Sequence, residues 1–265
     1  MDFDLTGRVA IVTGGAQGLG LACCKELAKH GADIVVVARE PEEVTTGRAR
    51  PHAPVTDAVA AVEAWGTSAL GITADVRDKA QVDAMVEQVL AECGRIDILV
   101  NVVGGSWGET FKAGPLMELT EHDLVEAYRV NVVTMFQCSV AAVPAMKQQG
   151  KGSIINIASV AGRAPSPDSP AYGAAKAGVI NMTLSMAQAW GPEVRVNAIA
   201  VGGIETPHRP RWREDSSAAY GPGGVSAMGR LGKPEEHAGT VVWLASDYGG
   251  YITGEVIDAN GGARR

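Results

Sequence analysis

The chain has 265 residues, of which 46% are hydrophobic and 20% are charged, as in an ordinary globular protein. A formal charge of -7 and a pI near 5.3 argue against nucleic acid as the main partner. No apolar run approaches the roughly 18 residues of a membrane span, and the start MDFDLTGR lacks a hydrophobic targeting core. We therefore expect a soluble, cytoplasmic protein without a membrane partner. Because no repeat or linker divides the chain, we expect one domain over residues 1–265.

The cysteines do not form a recognisable framework. None of Cys23, Cys24, Cys93 and Cys138 forms a CxxC pair, and two are adjacent within an apparent helix. This pattern favours reduced, packed thiols over disulfides or a zinc site. We expect no metal.

The first elements predict a nucleotide-binding unit. A strand at residues 8–13 runs directly into a glycine-rich turn, and a helix and a second strand (residues 34–38) follow. Glycines let the backbone approach a pyrophosphate closely, and the helix N-terminus supplies amides and a favourable dipole. The predicted nucleotide contacts in this turn are Gly14, Ala16, Gln17, Gly18, Leu19 and Gly20.

The end of the second strand bears on the choice of nucleotide. A carboxylate at this position selects a free 2′-hydroxyl, whereas this chain has Ala38 followed by Arg39. A guanidinium can pair with a 2′-phosphate, so the sequence favours NADP(H) over NAD(H). Two points oppose this interpretation: Arg39 could stack on adenine or face water, and Gln17 adds no positive charge to the turn.

The next segments complete the predicted nucleotide half. Residues 41–54 read as a polar, proline-bearing surface loop, either a cover for the cofactor or an ordinary solvated insertion. A helix that carries Val55, Val59, Val62 and Trp65 follows. The third strand (69–74) and the fourth (96–100) flank a helix at 78–93. Predicted cofactor contacts after these strands are Asp75, Val76, Asn101, Val103 and Gly104, with Asp75 able to accept a bond from the adenine amino group.

Thr120 and Asp123 predict a capped helix start. Asn131 lies within that helix. Since an asparagine there is costly unless it is bonded, Asn131 is interpreted as either a helix-bending residue or a site residue.

Residues 159–176 carry the predicted chemistry. Ser159 follows a short β-branched strand and therefore lies at the carboxyl end of a sheet, where open α/β sheets bind ligands. Tyr172 and Lys176 are four residues apart and share one helix face. A nearby ammonium lowers the pKa of a phenol, which makes it usable for proton transfer. A serine hydroxyl can bond the oxygen on which charge develops. The three groups suit proton transfer to a carbonyl oxygen.

Strands at 194–201 and 255–259 close the predicted sheet. Between them, about 203–228 reads as a mobile cover over the site. Its cations Arg209, Arg211 and Arg213 suggest an anionic substrate, or pair with nearby acids in solvent. Predicted cofactor contacts here are Gly202, Ile204 and Thr206. Predicted substrate-pocket residues are Ser106, Trp107, Ser159, Gly203 and Trp212.

Together these motifs resemble the short-chain dehydrogenase/reductase family, in its shorter branch. The glycine pattern Thr13-Gly14-xxx-Gly18-x-Gly20, the set Asn131, Ser159, Tyr172 and Lys176, and Asp75-Val76 match the family pattern in order and spacing, as does Arg230 to Glu236. Three departures stand out: Asn101-Val102-Val103-Gly104 replaces Asn-Asn-Ala-Gly, Val201-Gly202 replaces Pro-Gly, and the segment between Arg39 and Asp75 is longer than in the family.

The resemblance implies an α/β fold, with a seven-strand parallel sheet in the order 3-2-1-4-5-6-7 and helices on both faces. It implies hydride transfer between NAD(P)H and a small-molecule ketone or secondary alcohol, with Lys176 also binding the nicotinamide ribose and Asn131 positioning a water. It further implies homotetramers or homodimers paired through the helices that contain Asn131 and Tyr172. Two alternatives stay open: tightly held nicotinamide that passes electrons to another carrier, and a non-catalytic nucleotide sensor.

Overall fold

The computed structural model describes residues 3–39, 53–105, 110–205 and 226–263. Within these residues, the strands are β1 (Val9–Thr13), β2 (Asp33–Ala38), β3 (Ala69–Thr73), β4 (Ile98–Asn101), β5 (Gly152–Ser159), β6 (Val194–Val201) and β7 (Val256–Ala259). They form one sheet in the order β3-β2-β1-β4-β5-β6-β7, and all neighbours pair in parallel. The strand order implied by the family resemblance is confirmed.

Helices connect the strands and cover both faces of the sheet. They are α1 (Gly18–Lys29), α2 (Val55–Glu63), α3 (Lys79–Cys93), α4 (Glu121–Tyr128), α5 (Thr134–Gln148), α6 (Pro170–Trp190) and α7 (Pro234–Ala245). Short 3-10 turns span Leu116–Glu118, Val160–Gly162 and Asp247–Gly249, and a π-helical turn, Arg129–Val133, joins α4 to α5. Among the residues described, no helix is long and apolar enough to cross a membrane.

The hydrophobic core has two layers, one on each face of the sheet. One layer packs Ile11 and Ile154 against α3, α5 and α6, and the other packs Val36 and Ile155 against α1, α2 and α7. Strands buried on both faces are mostly apolar, as expected for parallel sheets. Their β-branched sequences therefore follow directly from their central position.

Local capping explains where several helices begin. Thr120 caps α4 in a reciprocal capping box with Asp123, as predicted. Asp78 caps α3 through a bond from the Ala80 amide, so the helix starts one residue later than expected. The prediction for Trp65 was wrong, because α2 ends at Glu63 and the Trp65 side chain is half exposed.

The strand order reverses between β1 and β4, which opens a crevice at their carboxyl ends. The turns after these two strands approach closely: a Cβ built on Gly14 would lie 3.4 Å from Cγ2 of Val103. Both turns were predicted to contact a nucleotide. The fold therefore brings the two predicted halves of the nucleotide site to one edge of the sheet.

Candidate active site

The turn between β1 and α1 is shaped by glycines. Gly14 and Gly18 have positive φ angles of 69° and 54°, which side chains rarely adopt. A Cβ on Gly20 would lie 2.1 Å from the Gly14 carbonyl oxygen, so no other residue fits there without a backbone shift. The turn closes tightly and leads straight into the first turn of α1.

This turn fits the pyrophosphate of a dinucleotide. The first turn of α1 contains no acidic residue, and the Gln17 side chain does not cap the helix. The space beside Gly18 is open, since a Cβ added there would meet no described atom within 4 Å. The amides of the first helical turn lack intrahelical acceptors and carry the positive end of the dipole. Ala16 and Leu19, two of the predicted nucleotide contacts, are buried.

The predicted adenosine end contains a carboxylate, Asp75, that is bonded by an arginine. Asp75 accepts bonds from Nε and Nη2 of Arg77, at 2.9 and 2.5 Å to Oδ2, and its own amide bonds Gln81. Burial acts to raise the pKa of Asp75, but the Arg77 hydrogen bonds and the charges of Arg77 and Arg39 outweigh burial and lower it. The predicted adenine contact is thus already engaged by Arg77, and Arg39 lies close enough for its charge to act on Asp75.

A polar cavity of about 450 Å³ adjoins Asp75. It is lined by Asp75, Arg77, Asp78, Lys79, Gln81 and Arg129. Ala38 ends β2, and Val76 is buried beside Asp75. The described residues at this end therefore combine several cations with carboxylates that already have partners.

The turn after β4 remains bonded to the sheet although it lacks the usual second asparagine. The Val102 amide donates to Oγ1 of Thr13 at 3.1 Å, and Asn101 pairs with Thr13 in the β1–β4 register. The side chain of Asn101 points into the core, where it donates to Ser139 and Asn156. The substitution by Val102 therefore leaves the local sheet bonding intact.

Asn131 ties this turn to the helices. Its Oδ1 accepts from the Gly105 amide at 3.0 Å, and its Nδ2 donates to the carbonyls of Gly105 (3.2 Å) and Ala127 (2.9 Å). It lies in the π-helical turn Arg129–Val133, an irregularity that is frequent at functional sites. The helix is thus irregular at Asn131, and the Asn131 side chain holds the turn that borders the crevice.

Gly104 lies between two predicted catalytic side chains. Its φ is 149°, and a Cβ there would lie 2.5 Å from Oδ1 of Asn131 and 3.1 Å from Nζ of Lys176. Only glycine suits this backbone and this space. The amide oxygen of Asn131 and the ammonium of Lys176 therefore border the same small region.

Ser159 is the last residue of β5, as predicted, and is 7% exposed. Its Oγ accepts from the Ala161 amide at 3.2 Å, which starts the 3-10 turn Val160–Gly162. That bond uses an acceptor site and leaves the hydroxyl proton for another partner. The hydroxyl is thus held at the strand end with its donor capacity available.

Lys176 is buried beneath the Tyr172 ring. Its Nζ is 5.8 Å from the ring centroid and donates to the Ile157 carbonyl at 2.8 Å. Burial lowers the pKa of Lys176 to about 8. Tyr172, in the first turn of α6, is partly buried. The shared helix face predicted for Tyr172 and Lys176 is confirmed.

Two glycines that the sequence interpretation did not single out set the spacing between these elements. A Cβ on Gly162 would lie 2.6 Å from the backbone carbon of Lys176, and one on Gly173 would lie 2.9 Å from the Ala161 carbonyl oxygen. The 3-10 turn after Ser159 therefore packs directly on the backbone of α6. In the sequence, the only sign of this role is that a glycine follows each predicted catalytic residue closely: Gly162 lies three residues after Ser159, and Gly173 lies directly after Tyr172.

The segment after β6 is anchored at its start. The Gly202 amide donates to the Ala259 carbonyl, and Gly203 and Glu205 exchange backbone bonds with Gly232 around the Ile204 bridge. The loss of the family proline before Gly202 thus leaves a bonded segment. His237 packs under Gly232 with both ring nitrogens unpartnered among the described residues, and burial lowers its pKa.

Several predictions lie outside the described residues. They concern Ser106, Trp107, Thr206 and Trp212, the arginine cluster 209–213, most of the cover at 203–228, and all but the end of the loop at 41–54. Among the described residues, no three His, Cys, Asp or Glu side chains are grouped to hold a metal ion.

Comparison with known proteins places the chain among oxidoreductases. Residues 14–264 match the family model described as enoyl-(acyl carrier protein) reductase. The 3-oxoacyl-[acyl-carrier-protein] reductase of Thermotoga maritima is 34% identical over 262 residues, which cover 97% of this chain and 98% of the relative.

Two solved structures share the fold and contain or use nicotinamide nucleotides. A 7α-hydroxysteroid dehydrogenase complexed with NADH and a 7-oxo bile acid aligns with a TM-score of 0.84 and 25% identity, over 99% of this chain and 96% of that one. The NADPH-dependent 3-quinuclidinone reductase of Rhodotorula rubra aligns with a TM-score of 0.85 and 26% identity, over 98% and 92%. The chain belongs to the short-chain dehydrogenase/reductase family of oxidoreductases.

Proposed function

We propose that this protein transfers a hydride between a nicotinamide nucleotide, preferably NADP(H), and a small-molecule ketone or secondary alcohol. The observation that carries the proposal is the buried Lys176 ammonium beneath the Tyr172 ring, on the helix that packs against the Ser159 strand end. A cation beside a phenol favours the phenolate and lowers the pKa of the phenol. Tyr172 is thereby suited to act as the general acid and base.

Proton transfer would proceed as follows in the reducing direction. The bound nucleotide supplies the hydride that the carbonyl carbon accepts. Ser159 donates a hydrogen bond to the carbonyl oxygen, where negative charge develops. Tyr172 donates its proton to that oxygen, so a hydroxyl group is formed. Lys176 stabilises the resulting phenolate.

Reprotonation of Tyr172 would pass through the region around Gly104. Oδ1 of Asn131 and Nζ of Lys176 both border this region, and a carboxamide oxygen has a second lone pair beyond the one bonded by Gly105. A water held between Asn131 and Lys176 would resupply the proton. Lys176, with its pKa lowered to about 8 by burial, exchanges protons near neutral pH more readily than an exposed lysine.

The preference for NADP(H) rests on Arg39 and on the state of Asp75. The negative charge of Asp75 is offset by Arg77, and the residue directly after Ala38 at the end of β2 is Arg39 and not an acid. A 2′-phosphate would therefore meet Arg39 rather than a carboxylate.

Pairing of subunits through the long helices is also part of the proposal. Exposed apolar side chains are grouped on α4, α5 and α6, at 37–56% of full exposure: Leu124, Val125, Tyr128, Phe136, Val140 and Leu184. Groups of exposed apolar side chains of this kind are typical of interaction sites. Light scattering of the purified protein distinguishes a homodimer or homotetramer from a monomer.

The substitution Tyr172→Phe tests the proposed chemistry. It removes the hydroxyl and keeps the ring, so turnover with ketones or alcohols should fall by at least about a hundredfold. Nucleotide affinity, measured by calorimetry, should stay within a few-fold of wild type. Turnover is followed by nicotinamide absorbance across a panel of ketones and alcohols with both nucleotides. A Tyr172→Phe variant with comparable turnover would refute the role.

A further inference from the structure

Four polar side chains are buried in the core between β4, β5, α5 and α6. Ser139, Asn156 and Thr183 are fully buried, and Asn101 is 3% exposed. Buried polar groups are costly unless they are hydrogen-bonded. We therefore expect all four side chains to have hydrogen-bond partners within this mostly apolar layer.

The four side chains form a connected chain of hydrogen bonds. Asn101 donates from Nδ2 to Oγ of Ser139 at 3.0 Å and to Oδ1 of Asn156 at 2.9 Å. Asn156 donates from Nδ2 to Oγ1 of Thr183 at 3.0 Å. Thr183 and Ser139 donate in turn to carbonyls of their own helices, Val179 at 2.8 Å and Met135 at 2.7 Å.

The direction of this chain is fixed. Both hydroxyl protons are used within helices, so each hydroxyl accepts from an asparagine amide. Oδ1 of Asn101 has no partner among the described residues. Flipping the Asn156 amide would place its nitrogen against the Asn101 nitrogen, which cannot accept. The network therefore joins β4, β5, α5 and α6 through side-chain hydrogen bonds.

Thr183 lies on the same face of α6 as Lys176, about two helical turns farther from the candidate active site. Thr183 and Lys176 are seven residues apart, which is about two helical turns and places them on one face. Lys176 bonds the carbonyl of Ile157, the neighbour of Asn156. Two hydrogen bonds, from Lys176 to Ile157 and from Asn156 to Thr183, thus join α6 to adjacent residues of β5 at positions about two turns apart along the helix.

Two hydrogen bonds from one helix face restrict both the axial position and the rotation of the helix relative to the strand. One end of β5 carries Ser159, three residues beyond Asn156, and the first turn of α6 carries Tyr172. We propose that the hydrogen bond between Asn156 and Thr183, supported by Asn101 and Ser139, is a positioning device that sets the separation of the Tyr172 phenol and the Ser159 hydroxyl. This inference rests on the proposed function.

Thr183→Val is the first test, because it keeps the shape of the side chain and removes the acceptor for Asn156. A displacement of about 1 Å can cost about a hundredfold in rate, so kcat should fall ten- to a hundredfold. The KM for ketone and the nucleotide affinity should change less than about threefold. Because Nζ of Lys176 is also bonded to the Ile157 carbonyl of β5, its distance from the Tyr172 ring should increase when α6 is no longer held. The pH–rate profile for alcohol oxidation should therefore move to higher pH.

Two further variants separate positioning from general stability. Thr183→Ser keeps the hydroxyl and should restore kcat to within about threefold of wild type. Ser153→Ala removes a similar buried bond from the other end of β5, where Oγ donates to the Leu244 carbonyl at 3.1 Å. This control should lower the unfolding temperature and leave the pH profile unchanged.

Wild-type kcat and pH profile in Thr183→Val would overturn the positioning role, as would an equal loss of kcat in Ser153→Ala at matched stability. If Thr183→Val does not fold, Thr183→Ser and Thr183→Ala decide the question, because only the serine variant should keep kcat and the pH profile. If Tyr172→Phe retains turnover, the proposed function fails and takes this inference with it. If Tyr172→Phe is inactive and Thr183→Val is fully active, only the positioning role fails.

Discussion

The two ends of the crevice are built in different ways. At the nucleotide end, the turn between β1 and α1 presents backbone groups, and its shape depends on the missing side chains of Gly14, Gly18 and Gly20. At the proposed proton-transfer end, the proposed function depends on side chains that are buried and bonded, above all Lys176. The shape of the first end thus depends on residues without side chains, and the second end depends on side chains held by hydrogen bonds.

This difference predicts two kinds of failure. An added side chain at the nucleotide end should block binding and spare the proton chemistry. A removed side chain at the other end should block the chemistry and spare binding. The three substitutions below test that separation, from the largest expected effect to the smallest.

Lys176→Met should have the largest effect, because it removes the ammonium that makes Tyr172 usable. We expect kcat to fall about a hundred- to ten-thousand-fold. The stability of the fold, in contrast, should not fall in Lys176→Met. Burial lowers the Lys176 pKa from 10.5 to about 8, so the unfolded chain binds more protons between those values and stability rises with pH across that window.

At pH 7 this buried charge disfavours the folded state by up to about 3 kcal/mol, from which the lost bond to Ile157 must be subtracted. Thermal unfolding of Lys176→Met should therefore occur at no lower temperature than in wild type, with a flatter pH dependence between pH 8 and 10.5. The exposed Lys147 on α5 gives the matched control, Lys147→Met, which should change neither property. A large loss of stability in Lys176→Met alone would contradict the assignment.

Gly20→Ala should act at the other end. Its Cβ would lie 2.1 Å from the Gly14 carbonyl oxygen, so the turn must open and nucleotide affinity should fall about a hundredfold or more. Gly239→Ala is the control, since a Cβ there meets no described atom within 4 Å and the residue lies inside α7. That control should stabilise the fold by about 0.5–1 kcal/mol. Calorimetric titration and thermal unfolding measure both effects.

Arg39→Gln should have the smallest effect and sharpen the nucleotide assignment. Loss of a charged hydrogen bond to a 2′-phosphate, about 1.5–3 kcal/mol, raises the KM for NADPH by about tenfold or more. The KM for NADH should change little. Arg95→Gln is the control, because Arg95 pairs with Asp97 at the opposite edge of the sheet, just before β4 begins. Equal changes with both nucleotides would assign Arg39 to adenine stacking.

The sequence predicted those parts of the structure that depend on local patterns. Strands such as residues 34–38 are continuous apolar runs, and Thr120 with Asp123 marks the start of α4 within four residues of sequence. The order of the strands came from the family resemblance, since no local pattern encodes which strands are neighbours. The shared face of Tyr172 and Lys176 followed from helical spacing.

Contacts between distant segments were beyond sequence reasoning. Asn156 and Thr183 are polar residues in mostly apolar elements, and nothing in the sequence shows that the two side chains meet and bond. Asn131 was open to two interpretations because its partners on Gly105 are 26 residues away. The engagement of Asp75 by Arg77 depended on side-chain geometry, which composition does not specify.

The close approach of Gly162 to the backbone of Lys176 has a consequence for how such proteins diversify. The backbone packs closely on α6 at Gly162 and becomes helical at Pro170. We therefore expect substitutions between these two residues to leave Ser159 and Tyr172 in place. Residues 163–169 would then be able to diverge among relatives while the proposed proton-transfer groups keep their positions.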